Sequence, residues 1–241
     1  MAVIDALIET LRADTAVHEV RVGAHWTVVV ARQAGLASTV QDWKAPHGHS
    51  MVQDVGLLHT KSALELANYA RSNNPLEASI GMAAINSLLE VDESRCVELN
   101  ARDFLIERGR DKRVALVGHF PFIPQLEVAV GHLWVLEQQP GPGELPASAA
   151  PEVIPQADVV AITAVTLING TFDDLIRLRR PDALVMMLGG SAPLSPVLFD
   201  YGVDVISGTR VVDIEAVLRT ASQGATFRQL EGIRLLTMTR N

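Results

Sequence analysis

The sequence predicts an α/β fold in which a doubly wound parallel sheet over residues 112–241 follows a smaller α+β domain over residues 1–111. Three observations carry that prediction. The second half holds short, continuous apolar runs of the kind that form strands buried on both faces, and helix-length segments lie between most of them. The first half changes its hydrophobic period from helical to extended and back. Between the halves, Gly109-Arg110-Asp111-Lys112-Arg113 is a charged, glycine-containing joint of the kind that separates domains.

Taken in order, Val3, Ile4, Leu7, Ile8 and Leu11 recur at helical spacing and predict an opening amphipathic helix. Val17–Val22 and His25–Arg32 are β-branched runs either side of Gly23-Ala24, which predicts a hairpin. Residues 35–60 are mixed and Gly/Pro-punctuated, with a short strand expected near Thr39 and a turn at Pro46–Gly48. Helices are expected over Ser62–Arg71, over Pro75–Leu89 with proline at a first-turn position, and around Arg102–Arg108. The strands of the second half are expected at Val114–Val117, Leu133–Leu136, Val159–Thr163, Ala183–Leu188 and Val203–Ile206. Pro124–Val130 and Phe172–Arg179 supply helices between them, Thr171-Phe172-Asp173-Asp174 reads as a capping box with Asp in place of Glu, and Asp213–Ser222 closes the domain.

Composition narrows the function. Of 241 residues 48% are hydrophobic and 20% charged, the make-up of a chain that buries a large core. The net charge of −8 argues against nucleic acid, whose affinity is built on cations neutralising phosphates, and against anionic membrane surfaces. Cys96 is the lone cysteine, so no intramolecular disulfide forms, Cys-rich metal sites are excluded and a cytoplasmic location is expected. Asp5 and Glu9 stand where a signal peptide needs a basic end and an apolar core, and no stretch of membrane-spanning length is apolar.

In open α/β sheets the ligand crevice lies beyond the carboxyl ends of the strands, so the residues after each run are the ones to read. Here they are Gly118-His119-Phe120-Pro121, then Glu137, then Ala164-Val165-Thr166 with Asn169-Gly170, then Gly189-Gly190-Ser191-Ala192-Pro193, and finally Ser207-Gly208-Thr209. Glycine admits close backbone approach, while hydroxyls and amides orient a ligand. Each such residue taken singly is also an ordinary turn or cap; the five loops together point to a ligand site. Gly118 stands alone, without the remaining glycines of a dinucleotide fingerprint, whereas Glu137 has the place of a carboxylate that accepts ribose hydroxyls. No Lys or Arg occurs from Val114 to Ile176, so a phosphate-rich ligand there is expected to rely on backbone donors. Among the histidines, His47-Gly48-His49 is read as a surface loop, His25 as a packed or edge strand residue, and His119 as the one metal candidate because it falls at the mouth of the crevice. Cys96 has no adjacent base and Ser191 lacks the trailing glycine of a nucleophile elbow, so covalent catalysis has no support.

The runs VALVGHFPFIP, LPASAAPEVIPQADVVAITAVTLINGTFDDLI, VMMLGGSAPLSPVLFDYGVDVISGTRVVD and EASIGMAAINSLL resemble the heavy-metal chelation domain family, once a domain of unknown function, over nearly the whole chain. The resemblance implies an enolase-N-terminal-like α+β domain, a Rossmann-like domain, and a site in the cleft between them. It points to Glu77 and Asn86 from the first domain and to Gly118, Thr163, Thr166, Asn169, Gly170, Gly189, Ser191, Pro193, Gly208 and Thr209 from the second. The family's pattern is variable where this chain has His119. The expected function is binding of a small polar ligand or a chelated transition metal in that cleft, with homo-oligomerisation expected of so apolar a chain. Two alternatives stand beside it: an enzyme using an adenosine-containing cofactor, S-adenosylmethionine or NAD, with Glu137 on the ribose, and a non-catalytic oligomeric scaffold.

Overall fold

A computed structural model describes residues 2–41 and 51–240; His47, His49 and the turn expected at Pro46–Gly48 lie outside the described residues. Helix α1 (Ala2–Glu9) forms because Val3, Ile4, Leu7 and Ile8 make one buried stripe. The hairpin follows as β1 (Glu19–Val22) and β2 (Trp26–Val30), and β3 (Ala34–Ser38) completes a three-stranded antiparallel sheet. Residues 58–60 form a 3-10 turn, and α2 (Ala63–Ala67) starts on a capping box between Ser62 and Glu65 before tightening into a 3-10 turn at Asn68–Arg71. Helix α3 (Pro75–Leu88) is capped by the Asn74 side chain and carries proline in its first turn. It packs across β2 and β3 and is buried nearly all round, because other elements cover its remaining faces.

Strand β4 (Cys96–Val97) and helix α4 (Ala101–Gly109) lead into the second half, where β5 (Arg113–Val117), α5 (Ile123–Ala129), β6 (His132–Glu137) and β7 (Leu145–Pro146) follow. Then come α6 (Ala150–Val153), β8 (Val159–Thr163), α7 (Val165–Ile168), α8 (Phe172–Arg177), β9 (Leu184–Leu188), α9 (Val197–Asp200), β10 (Val205–Val211), α10 (Ile214–Ser222) and β11 (Ile233–Thr239). The large sheet runs β4-β11-β10-β9-β8-β5-β6-β7. From β7 to β10 every pair is parallel, and numbered along the chain from β5 those strands stand in the order 3-2-1-4-5-6, the doubly wound arrangement. Strands β11 and β4 close one side antiparallel.

Two sequence expectations need correction. Ser207, Gly208 and Thr209 belong to no loop: β10 continues through them because β11 pairs with it from Val205 to Val211. Thr171 makes no capping box, since its backbone lies in the helical region and its hydroxyl and N–H both go to Asn169 Oδ1, at 2.7 and 3.2 Å.

The small sheet is covered on both sides. On one face lies α3; on the other, Val217, Leu218 and Ala221 of α10 pack on Trp26, Val28 and Val30, which is why all of β2 is buried. A single apolar cluster runs from α1 and α3 through β5, β8 and β9 to α9. Asn86 Nδ2 bonds Leu36 O at 2.9 Å and Ser191 O at 3.1 Å, and Ser191 Oγ accepts from the Ser38 N–H at 2.7 Å, so polar contacts tie the halves as well. No helix among the described residues is long and apolar enough to cross a membrane.

Candidate functional site

Strand β5 has β6 on one side and β8 on the other, so the chain reverses direction across the sheet at the carboxyl ends of β5 and β8. Gly118 and Thr163 meet there. Gly118 has φ +104°, and a Cβ on it would lie 2.9 Å from Thr163 Cγ2, so only glycine lets the two loops close up. On either side of this contact a cavity opens, and His119, Thr163 and Val165 line both.

The cavity on the β6 side has a volume of about 510 Å3. Gly118, Glu137, Thr166 and Asn169 line it together with Leu136 and Leu175. Glu137 Oε1 accepts from the Gln138 N–H at 2.7 Å, an orientation fixed by its own chain, which leaves Oε2 as an acceptor. Thr166 is fully committed: its hydroxyl donates to Thr163 O at 2.7 Å and it is buried.

The other cavity, about 590 Å3, lies between the small sheet and the carboxyl ends of β8, β9 and β10. Its walls are aromatic. Trp26 and Phe227 stand 5.6 Å apart, Phe120 and Phe122 stack at 5.2 Å, and Gly190 admits the indole because a Cβ there would come within 2.7 Å of Trp26 Cζ3. Gly189, Gly208 and Thr209 contribute backbone and a hydroxyl that donates to Gly190 O. The Trp26 indole N–H is buried with no partner among the described residues, a donor left open at a cost of about 1–3 kcal/mol. Arg102, at the start of α4, and the exposed Arg228 also reach this cavity. Cations from outside the cation-free stretch thus reach this cavity, whereas no Lys or Arg lines the one on the β6 side, where the expectation of backbone donors stands.

At the junction of the cavities His119 Nδ1 lies 2.6 Å from Glu144 Oε1. Glu144 is nearly buried, and its Oε2 accepts from the Gly141 N–H at 2.7 Å. That backbone bond, with His119, holds its carboxyl below the usual carboxylate range. An ionised carboxylate only accepts, so Nδ1 donates to Glu144 and Nε2 is the ring nitrogen left for another partner.

Other sequence-predicted residues lie elsewhere. Glu77 lines neither cavity; Oε1 accepts from the Gln53 N–H at 2.7 Å and Oε2 from the Ser72 hydroxyl, which fixes the start of α3. Asn86 and Ser191 hold the halves together and line neither cavity, and Gly170 is a turn residue at φ +75°. Sequence reasoning missed Trp26, Phe227, Arg102, Arg228 and the partner of His119; the aromatic Phe120-Pro121-Phe122 was the one local signal for the apolar walls.

The sheet order and the crevice define the class: a Rossmann-like α/β chain with a smaller α+β unit closing over its switch point. Family comparison carries this further, and the chain belongs to the family described as "Putative heavy-metal chelation", whose models match residues 4–89 and, over more than half of the chain, 100–239. An uncharacterised protein of Methanocaldococcus jannaschii is 27% identical over 206 residues, covering 80% of this chain and 77% of that one. A crystal structure from the same family, a protein of unknown function from Desulfitobacterium hafniense, superposes with a TM-score of 0.87 at 26% identity over 99% of this chain and 98% of that one. A second, from Pyrococcus horikoshii, gives 0.82 at 19% over 98% of both and speaks to the fold alone.

A bare heavy-metal ion does not fit the described residues. Protein-held metals of this kind take three or more donors, and no group of three His, Cys, Asp or Glu is placed to hold one among those residues. Cys96 lines neither cavity, and burial pushes its thiol up, away from the thiolate a metal needs.

Proposed function

We propose that this protein binds a small organic molecule across the crevice, with a flat apolar body against Trp26, Phe120 and Phe227 and a polar, hydroxyl- or amine-bearing end toward Glu137 and Asn169. On this reading the molecule is the chelator to which the family description of heavy-metal chelation refers. The observation that carries the reading is the pair of cavities that share His119, Thr163 and Val165, one walled by aromatic rings and reached by two arginines and the other bearing a carboxylate, in a chain without a three-donor cluster among its described residues. Sites for small molecules have this make-up, apolar walls with few placed polar groups.

The test is to denature freshly purified protein and analyse what it releases, by mass spectrometry for organic molecules and elemental analysis for metals. A stoichiometric organic molecule, alone or with a metal, is the expected result. Stoichiometric metal with no organic partner overturns the reading.

A nucleoside cofactor is the second reading, favoured by one observation: Glu137 ends the strand beside β5 and shares a cavity with Gly118, where a ribose carboxylate stands in doubly wound folds. Under it, S-adenosylmethionine or NAD stabilises the protein, by about 2.7 kcal/mol at 100 times the dissociation constant, and Glu137→Ala removes the effect. A thermal-shift titration in which neither cofactor raises the midpoint rejects it.

A further inference from the structure

We infer that the molecule bound in this crevice is a singly charged organic anion, its aromatic body among Trp26, Phe120 and Phe227 and its carboxylate on Arg228. This rests on the proposed binding of a flat apolar body in the same crevice and adds the sign of its charge.

Charge is sorted across the contact of Gly118 with Thr163. Arg102 and Arg228 line the aromatic cavity, and no Asp, Glu or Lys among the described residues does. Glu137 and Asp174 line the cavity on the β6 side, and no Lys or Arg among the described residues does. In a chain of net charge −8, a cavity with cations and no carboxylate runs against the overall balance. Apolar walls strengthen its pull on an anion, because a cleft lined by one sign of charge focuses the field.

The two arginines are not equal. Arg102 Nε lies 2.8 Å from Asp103 Oδ1, so its charge is already answered. Arg228 has no hydrogen bond or ion pair through its side chain among the described residues. It stands on the 3-10 turn Phe227–Gln229, which a capping box between Thr226 and Gln229 fixes, and the same turn sets the Phe227 ring 5.6 Å from Trp26. One turn thus supplies an aromatic face and a free guanidinium side by side. A guanidinium pairs with a carboxylate through two parallel N–H donors, a planar fit for an acid carried on a ring. The charge left unanswered at this cavity is one, which matches a carboxylate and not a doubly charged phosphate monoester. Other free groups of this wall are donors as well: the Trp26 indole N–H is buried without a partner among the described residues, and Asn100 Oδ1 is spent on the Arg102 N–H at 2.9 Å, which leaves the amide hydrogens.

The test is calorimetric titration of the dialysed protein with three probes on one ring system: 2-naphthoate, 2-naphthalenemethanol and 2-naphthylmethylammonium. Wild-type protein should bind one equivalent of naphthoate about tenfold more tightly than the alcohol, the effect of one charge-assisted pair at a site partly open to water, and the ammonium most weakly. Added salt should weaken the carboxylate and leave the alcohol unchanged. In Arg228→Gln the carboxylate should lose its advantage while the alcohol binds as before, and Arg102→Gln should cost the carboxylate less. The indole N–H resonance that is absent from Trp26→Phe should shift when naphthoate binds to the wild type, which locates the site. Circular dichroism checks that each variant is folded. Naphthoate that binds no better than the alcohol or not at all, equal losses of both probes in Arg228→Gln, or an unmoved Trp26 resonance overturns the inference. Failure of the proposed function reads differently: an uncharged or cationic organic molecule released by the denatured protein leaves that function standing while this inference falls, and Arg228-dependent binding of naphthoate to a protein that releases metal alone does the reverse.

Discussion

At the scale of single residues, Asp158 shows how one carboxylate can organise a sheet. It lies just before β8 and accepts from the Arg113 N–H at 2.9 Å, from the Arg113 guanidinium at 3.0 and 3.1 Å, and from Arg180 at 3.0 Å, so it joins the starts of β5 and β8 to the turn leading into β9. The Arg113 side chain and backbone beside it hold its carboxyl far below the usual range. A carboxyl depressed in the folded state stabilises above its unfolded value, near 4, and that contribution is lost as pH falls toward the folded value. Asp158→Asn should therefore cost about 1–2 kcal/mol at neutral pH, a figure reduced for the quarter of the side chain still open to water. Urea midpoints for the two proteins should converge between about pH 4 and pH 2; a gap as wide in acid as at neutrality contradicts the assignment. Residue-level chemistry of this kind was the least legible part of the sequence. Gly118 and Glu137 could be placed by counting along strands, but the pairing of His119 with Glu144 spans 25 positions of helix, strand and loop, and no period links them. Trp26 and Phe227 likewise meet only because α10 lays one half on the other.

At the scale of elements, legibility followed length and uniformity of environment. Strands β5, β8 and β9 are buried on both faces and announce themselves as apolar runs. The far half of β10 is polar and glycine-containing, and it is a strand only because β11 supplies its ladder; β4 and β7, at two residues each, are too short to carry any period. Helix α3 was legible from its proline and its length, yet its tight seat on β3 was not. Gly35 is the reason that seat exists, since a Cβ there would stand 2.0 Å from Ala83 O and 2.3 Å from Ser87 N. Both are backbone atoms of a packed helix and cannot swing aside. Gly35→Ala should push α3 off the sheet at a cost of about 3 kcal/mol, the upper end for overpacking, and lower the urea midpoint accordingly. An unchanged midpoint means that the helix has slack the geometry does not show.

At the scale of the whole molecule, the two halves are joined both by one strand pairing and by a shared core. The joint at Gly109–Arg113 stands between the small sheet and β5, and we propose it as the boundary in chain order, with β4 from before it pairing β11 at the edge of the large sheet. The apolar cluster ignores that boundary, running from Ile4 and Ile80 through Ile162 to Phe199, and β2 is buried only because α10 covers the face that α3 leaves open. Residues 1–111 made alone would uncover that face together with the surfaces of α1 and α3 that meet the second half, and residues 112–241 would bare Val217, Leu218 and Ala221. Each exposed aliphatic side chain forfeits about 1.5–3 kcal/mol of burial, against a total stability of about 5–15 kcal/mol for an ordinary domain. Neither half should then unfold cooperatively by itself, while the two mixed should regain wild-type circular dichroism and a single thermal transition. The crevice makes the same demand: Trp26 comes from one half, and Gly189, Gly208 and Thr209 from the other. A fragment 1–111 that gave a sharp, dispersed amide spectrum and a cooperative melt would show that the small unit carries its own stability and that the cleft is an interface between finished domains. The shared core argues instead that cleft and fold form in one step.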